Sequence, residues 1–205
     1  MASDPPHRPG HRVTVARNTG EFGDGLVFAI PPRGIAVPEA LAHVRQGGAR
    51  ANRKLDSFVN CALANIVLLE PGEAVDSERV LRMVGPNVMA SVYYFYDEVH
   101  EKGIEPPGFL QKIWKPYCDL VADIPPELRH FRTHEFHYTH LHPGEAELID
   151  AELIRATCLV GTADDLIEQI RELEAQGLQE LMFATGVPEK WHFAQEFSRQ
   201  VMARI

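Results

Sequence analysis

Cysteine is scarce in this chain, and so are excess positive charge and long apolar runs; each shortage removes a class of protein. Cys61, Cys118 and Cys158 are only three thiols in 205 residues. They are widely spaced and odd in number, which excludes a disulfide framework and makes a reducing cytoplasm the expected compartment. Acidic residues outnumber basic ones, 29 against 20, for a formal charge of −9. A nucleic-acid backbone demands a basic face, so nucleic acid is not expected as the main partner. No run reaches the ~18 apolar residues of a membrane helix, and no membrane partner is expected. The opening MASDPPHRPGHR has no apolar core behind its charges, so a secretory signal is not expected either. Internal repeats and low-complexity tracts are absent. What is present, 45% hydrophobic and 24% charged residues, is enough for a globular domain with a real core.

The periodicities give an alternating order of strand and helix. Residues 1–12, rich in Pro, His and Arg, read as a flexible lead-in to a domain covering 13–205. Val13 to Gly20 reads as a short helix. Gly23-Asp24-Gly25 is turn chemistry ahead of an apolar run, Leu26 to Ile30, which Pro31-Pro32 ends. A parallel strand covered on both faces has that continuous apolar character. Pro38 suits the first position of the next helix, whose inner face carries Leu41 and Val44. Gly47-Gly48 weakens that helix by roughly 1 kcal/mol per glycine, which points to a close packing contact. Phe58 to Leu69 is the longest apolar run and reads as one strand. From Ala74 the pattern is helical to Gly103, with Pro86 expected to break or kink it. Four consecutive aromatics, Tyr93 to Tyr96, cannot share one helix face, so some must meet another element or subunit. A helix over Phe109 to Val121 follows, and then a histidine-rich segment, RHFRTHEFHYTHLHPGE.

Ile154 to Thr185 is the best-marked stretch. Thr162 and Asp165 have the spacing of a helix-capping box, and Asp164 and Asp165 complement the positive end of the helix dipole. Leu166, Ile170 and Leu173 form an apolar face, and Gly177 suits a left-handed C-terminal residue. A strand over Leu178 to Ala184 completes the unit. Pro188 then begins an amphipathic helix carrying Trp191, Phe193, Ala194, Phe197 and Val201. About residues 74–153 form a helical insertion, too long for a simple crossover and of a kind that often covers a site.

The candidate chemical motifs each compete with a structural reading. Histidines 130, 134, 137, 140 and 142 could ligate a metal. HEFH, however, leaves one residue between Glu and His where the helix-face zinc motif has two, so no metal is expected there, and a surface or lid segment is the plainer reading. Gly161-Thr162 could hold a phosphate at a helix start, but two carboxylates in the first turn repel an anion and capping is favoured. Gly23-Asp24-Gly25 precedes its strand, whereas a dinucleotide loop follows one. Arg33, just past the carboxyl end of the first strand, is where α/β scaffolds bind ligands, and it is the candidate cofactor-binding residue beside the alternative of a solvated loop. Cys61 and Cys158 lie in apolar runs and read as core.

Together, GDGLVF after a basic helix, the helix ending GARANRKLDSF with its long apolar strand, and LIDAELIRATCLVGTADDLIEQIRELEAQGLQELMF resemble the later half of the luciferase-like monooxygenase family. HEFH is similar to an HEGH stretch in flavin- or deazaflavin-dependent members. The resemblance implies an α/β fold, a partial (β/α)8 TIM barrel holding the last three strands and the long helical insertion. It implies an oxidoreductase or monooxygenase using FMN or coenzyme F420 on a small organic substrate. It also implies that His134 and His137 are catalytic, near the cofactor mouth, where an imidazole can bond a flavin carbonyl or move a proton. The early strands that carry much of that family's cofactor contact are missing here. A non-catalytic barrel fragment that dimerises or complements a partner subunit is therefore the alternative, since an open piece of parallel barrel leaves edges and an apolar face unpaired.

Overall fold

The computed structural model describes residues 10–183 and 190–205. The chain divides into two compact units, one formed by the residues up to Ala64 with Gln169–Phe183, the other by Asn65–Glu168 with the residues from 184 onward. The architecture is α/β with parallel strands. Neither sheet closes on itself among the described residues.

The first unit holds α1 (Gly10–Phe22), β1 (Gly25–Ala29), α2 (Val37–Arg50), β2 (Val59–Ala64) and β5 (Glu180–Phe183). Its sheet has the order β1-β2-β5, all parallel, with Leu26 beside Asn60 and Ala62 beside Leu181. One face of this sheet packs on helices: Leu26 joins Ala16, Ala40 and Val44, while Ala62 joins Val37 and Leu178. On the other face Val27, Val59 and Met182 remain 63, 43 and 48% exposed. The glycines of α2 serve the close approach expected of them. A Cβ on Gly47 would lie 1.8 Å from the Arg17 carbonyl oxygen, and one on Gly20 would lie 1.9 Å from that of Val44. Buried Asn60 clasps the segment before β5: its amide donates to the Gly177 carbonyl at 3.1 Å and to Gln179 Oε1 at 2.9 Å, and its Oδ1 accepts from Gln179 N–H at 3.2 Å.

The second unit holds β3 (Ile66–Leu68), α3 (Glu78–Lys102), α4 (Gln111–Leu120), α5 (Pro126–His134), α6 (Ala151–Thr157), β4 (Leu159–Gly161) and α8 (Lys190–Gln200), with β3 paired to β4 in parallel. Helix α7 (Ala163–Ala175) begins in this unit and ends in the first. Ser77 caps α3 by accepting the Val80 N–H at 3.2 Å, and Gly103 ends it with φ +63°. Residues 83–93 of α3 are buried without interruption, as befits a helix enclosed on all sides.

Several expectations need correcting. The run Phe58–Leu69 forms two strands in two sheets, parted at Asn65. Buried Asn65 accepts the Asn87 amide at 3.0 Å, donates to the Thr157 carbonyl at 3.4 Å, and its backbone carbonyl takes the Leu159 N–H at 2.8 Å. Strand β4 was unforeseen, so the described residues hold five strands where three were expected. Pro86 does not break α3; enclosure of the helix there outweighs one missing backbone bond. α1 reaches beyond Val13 and Gly20 at both ends, drawing Gly10 to Arg12 out of the expected lead-in. The histidine-rich segment begins inside a helix, α5. Phe193, Phe197 and Val201 are buried as expected, but Trp191 and Ala194 face outward. Cys61 is buried and Cys158 half-buried. Residues 1–9, Ala184, Thr185 and Pro188 lie outside the described residues.

The best-marked stretch behaves as its residues require. Asp165 accepts from the Thr162 N–H at 2.9 Å and from its hydroxyl at 2.8 Å, while the Asp165 N–H reaches back to Thr162 Oγ1 at 3.4 Å. At the other end of α7 the Gly177 N–H bonds the Glu174 carbonyl at 2.8 Å and the Leu178 N–H bonds that of Leu173 at 3.1 Å, with Gly177 at φ +101°. That pair of bonds is the Schellman arrangement, and Leu173 and Leu178 supply its usual apolar contact.

Candidate functional site

The aromatic run on α3 sorts its rings by helical geometry. Phe95 meets Phe109, with ring centroids 5.5 Å apart, and Tyr96 meets Tyr117 at 5.4 Å. Tyr93, fully buried, instead places its hydroxyl 2.8 and 2.7 Å from the two carboxylate oxygens of Glu145. Glu145 also accepts the His142 N–H at 2.8 Å and is itself buried. Burial pushes the Glu145 carboxyl above its ordinary range, only partly countered by the bonds from Tyr93 and His142. Burial, followed by the bond to Glu145, likewise drives the Tyr93 hydroxyl far up.

One helical turn beyond Tyr93, Asp97 points to α5. Its Oδ2 lies 3.0 Å from His134 Nε2 and 3.4 Å from His130 Nδ1. His134 Nδ1 is in turn 3.3 Å from His137 Nδ1, and the edge of the Tyr93 ring packs on His134 at 5.5 Å. The structure thus brings His134 and His137 together in one chain of contacts from Asp97. Tyr138, next to His137, is held at φ +64°, a left-handed conformation uncommon for a bulky residue. Arg33 stands in the first unit, in the turn Pro31–Gly34 that follows β1, while both histidines belong to the second.

Beside these groups a cavity of about 440 Å³ opens, walled by Leu120, Ile124, Leu128, Arg132, His142 and Glu145 among others. That volume is in the range of small-molecule sites. The Nε2 of His142 and the hydroxyl of Tyr117 are buried and have no hydrogen-bond partner among the described residues. The first unit has a smaller hollow of about 170 Å³, lined by Arg12, Phe28 and Gly34. Glu145 and Asp97 carry no sequence signal of their own, because their importance arises from what folding buries around them.

A family model described as luciferase-like monooxygenase matches residues 4–180. The chain belongs to the luciferase-like monooxygenase family. Among solved structures it is similar to the coenzyme F420-dependent tetrahydromethanopterin reductase from Methanopyrus kandleri, at 14% identity and a TM-score of 0.49. That likeness covers 93% of this chain and 48% of the reductase, so the chain spans about half the length of that relative. No curated protein matches. Members of the family use flavin or F420 cofactors.

Neither of these two cavities fits such a cofactor by itself. The larger cavity holds one cation, Arg132, against the carboxylates of Asp123, Glu135 and Glu145, a balance that repels a phosphate-bearing tail. The smaller hollow lies below the usual range for a cofactor-sized ligand. The larger cavity, mostly apolar with a few convergent polar atoms, suits a small organic molecule instead.

Proposed function

We propose that the chain is the carboxyl-terminal part of a flavin- or F420-dependent oxidoreductase of the luciferase-like type, acting on a small organic substrate in the cytoplasm. The observation that carries this reading is the family match across residues 4–180. In the proposal the substrate binds in the second unit. The 440 Å³ cavity takes the substrate, with Arg132, Thr133 and His142 in its wall. His134 and His137, brought together beside Asp97, are the proposed proton-handling residues, since a His–Asp pair orients the imidazole. In the first unit, Arg33 is the proposed cofactor-binding residue, by its place just after the carboxyl end of β1. The rest of the cofactor site is proposed to come from barrel strands other than these.

The test is a titration of FMN and of F420 into the purified chain, and into any complex it forms, followed by absorbance and fluorescence. Saturable binding of one cofactor, weakened by Arg33→Ala, is the expected result. Absence of binding by both the chain and its complexes overturns the reading.

A second reading is supported by the exposed sheet face at Val27, Val59 and Met182. In it the chain is a non-catalytic subunit that persists by dimerising or by docking on a partner. Parallel sheets are ordinarily covered on both faces, and among the described residues Val27, Val59 and Met182 on one face of this sheet stay exposed.

A further inference from the structure

We propose that Asp97, His130 and His134 form a binding site for one divalent transition-metal ion of the imidazole-preferring group, with zinc as its representative. The ligand atoms of the three residues all lie within 4.8 Å of one another. The histidine spacing that matters is not HEFH but His130-Phe131-Arg132-Thr133-His134. Two histidines four apart on a helix share one face, the spacing by which helix-borne zinc sites hold their metal. Both lie within α5, and Asp97 reaches the same point from α3.

The distances fit shared coordination. An ion bound at about 2.0–2.1 Å in tetrahedral geometry sets neighbouring ligand atoms about 3.3 Å apart. Here Asp97 Oδ2 lies 3.0 Å from His134 Nε2 and 3.4 Å from His130 Nδ1. A hydrogen bond alone accounts for His134 against Asp97. It does not require the side chain of His130, 70% exposed, to converge on the same oxygen. The next layer is also in place: His134 Nδ1 faces His137 Nδ1 at 3.3 Å, the kind of outer partner that fixes the tautomer of a liganding imidazole. Two neutral imidazoles and one carboxylate suit a d-block divalent ion and not magnesium or calcium, which take oxygen ligands. Three protein ligands leave a fourth position to water. A bound ion would tie α5 to α3 and so steady Arg132 and Thr133, which line the cavity.

The site is tested on tag-free, chelator-treated protein by calorimetric titration with zinc and by the visible spectrum on adding cobalt. One equivalent bound at micromolar affinity or tighter, with the absorption of tetrahedral cobalt, is expected. His130→Ala and Asp97→Asn, the first at an exposed position that does not jeopardise folding, should each weaken binding at least tenfold. His140→Ala, outside the cluster, should leave it unchanged. Binding that is absent, that survives both substitutions, or that His140→Ala abolishes overturns the proposal. None of these readouts involves a flavin or F420, so failure of the metal site is distinguishable from failure of the oxidoreductase reading; an ion on Asp97 and His134 would leave His137 as the proton-handling residue.

Discussion

Glu145 is a buried acid whose surroundings favour its protonated form. Its folded-state pKa lies above the ordinary carboxylate value, chiefly because burial disfavours the charge. The folded protein therefore keeps this proton to higher pH than the unfolded chain does. The contribution to stability is full below the ordinary carboxylate range and is lost as pH rises through the folded value. Glu145→Gln keeps the shape of the protonated acid and cannot ionise. Relative to that variant, the wild type is expected to lose stability as pH rises from ~4 to ~8, measured by denaturant unfolding across that range. Two parallel stability curves would show that Glu145 does not titrate differently on folding. None of this was legible in HPGE, which reads as a polar turn. The carboxylate matters because Tyr93, 52 positions earlier, is folded onto it. The spacing of His130 and His134, by contrast, stood in the sequence, but gained meaning only with α5 being a helix.

At the scale of elements, local chemistry was readable and distant chemistry was not. The start and stop of α7 followed from Thr162, Asp165 and Gly177 because capping is settled within a few residues of the helix end. The break at Asn65 was hidden in an apolar run, since it depends on Asn87 and Thr157, 22 and 92 positions away. The glycine pair of α2 was legible as a close contact, though the partner was not. Gly47→Ala gives a direct check. The added methyl would sit 1.8 Å from the Arg17 carbonyl oxygen, so α1 and α2 must separate. A loss of about 2–3 kcal/mol is expected, despite the roughly 1 kcal/mol that alanine adds to a helix interior. A variant as stable as the wild type in urea would contradict so close a crossing.

For the whole molecule, the family and the α/β class were legible because the later segments carry its pattern of turns, caps and strands. The arrangement into two units was not, because the switch at Asn65 and the short pair β3-β4 leave little trace in periodicity. The exposed face at Val27 and Met182 gives the oligomer reading a measurable form. If that face is covered in an assembly, lysine at both positions places two charges against an apolar partner. Light scattering is expected to show an assembled wild type and a monomeric Val27→Lys, Met182→Lys double variant. A monomeric wild type, or a variant of unchanged mass, would count against covering of this face.

The first unit is built from two stretches of chain separated by more than a hundred residues, Asn65–Glu168. During synthesis, β1 and β2 therefore emerge from the ribosome well before β5 exists to pair with β2. For that interval the incomplete sheet has an unsatisfied edge, the kind of surface that recruits chaperones or aggregates. The Asn60 clasp, whose partners are Gly177 and Gln179, can close only after the chain has been made as far as Gln179. It is a lock set by a segment synthesised long after the strand it holds.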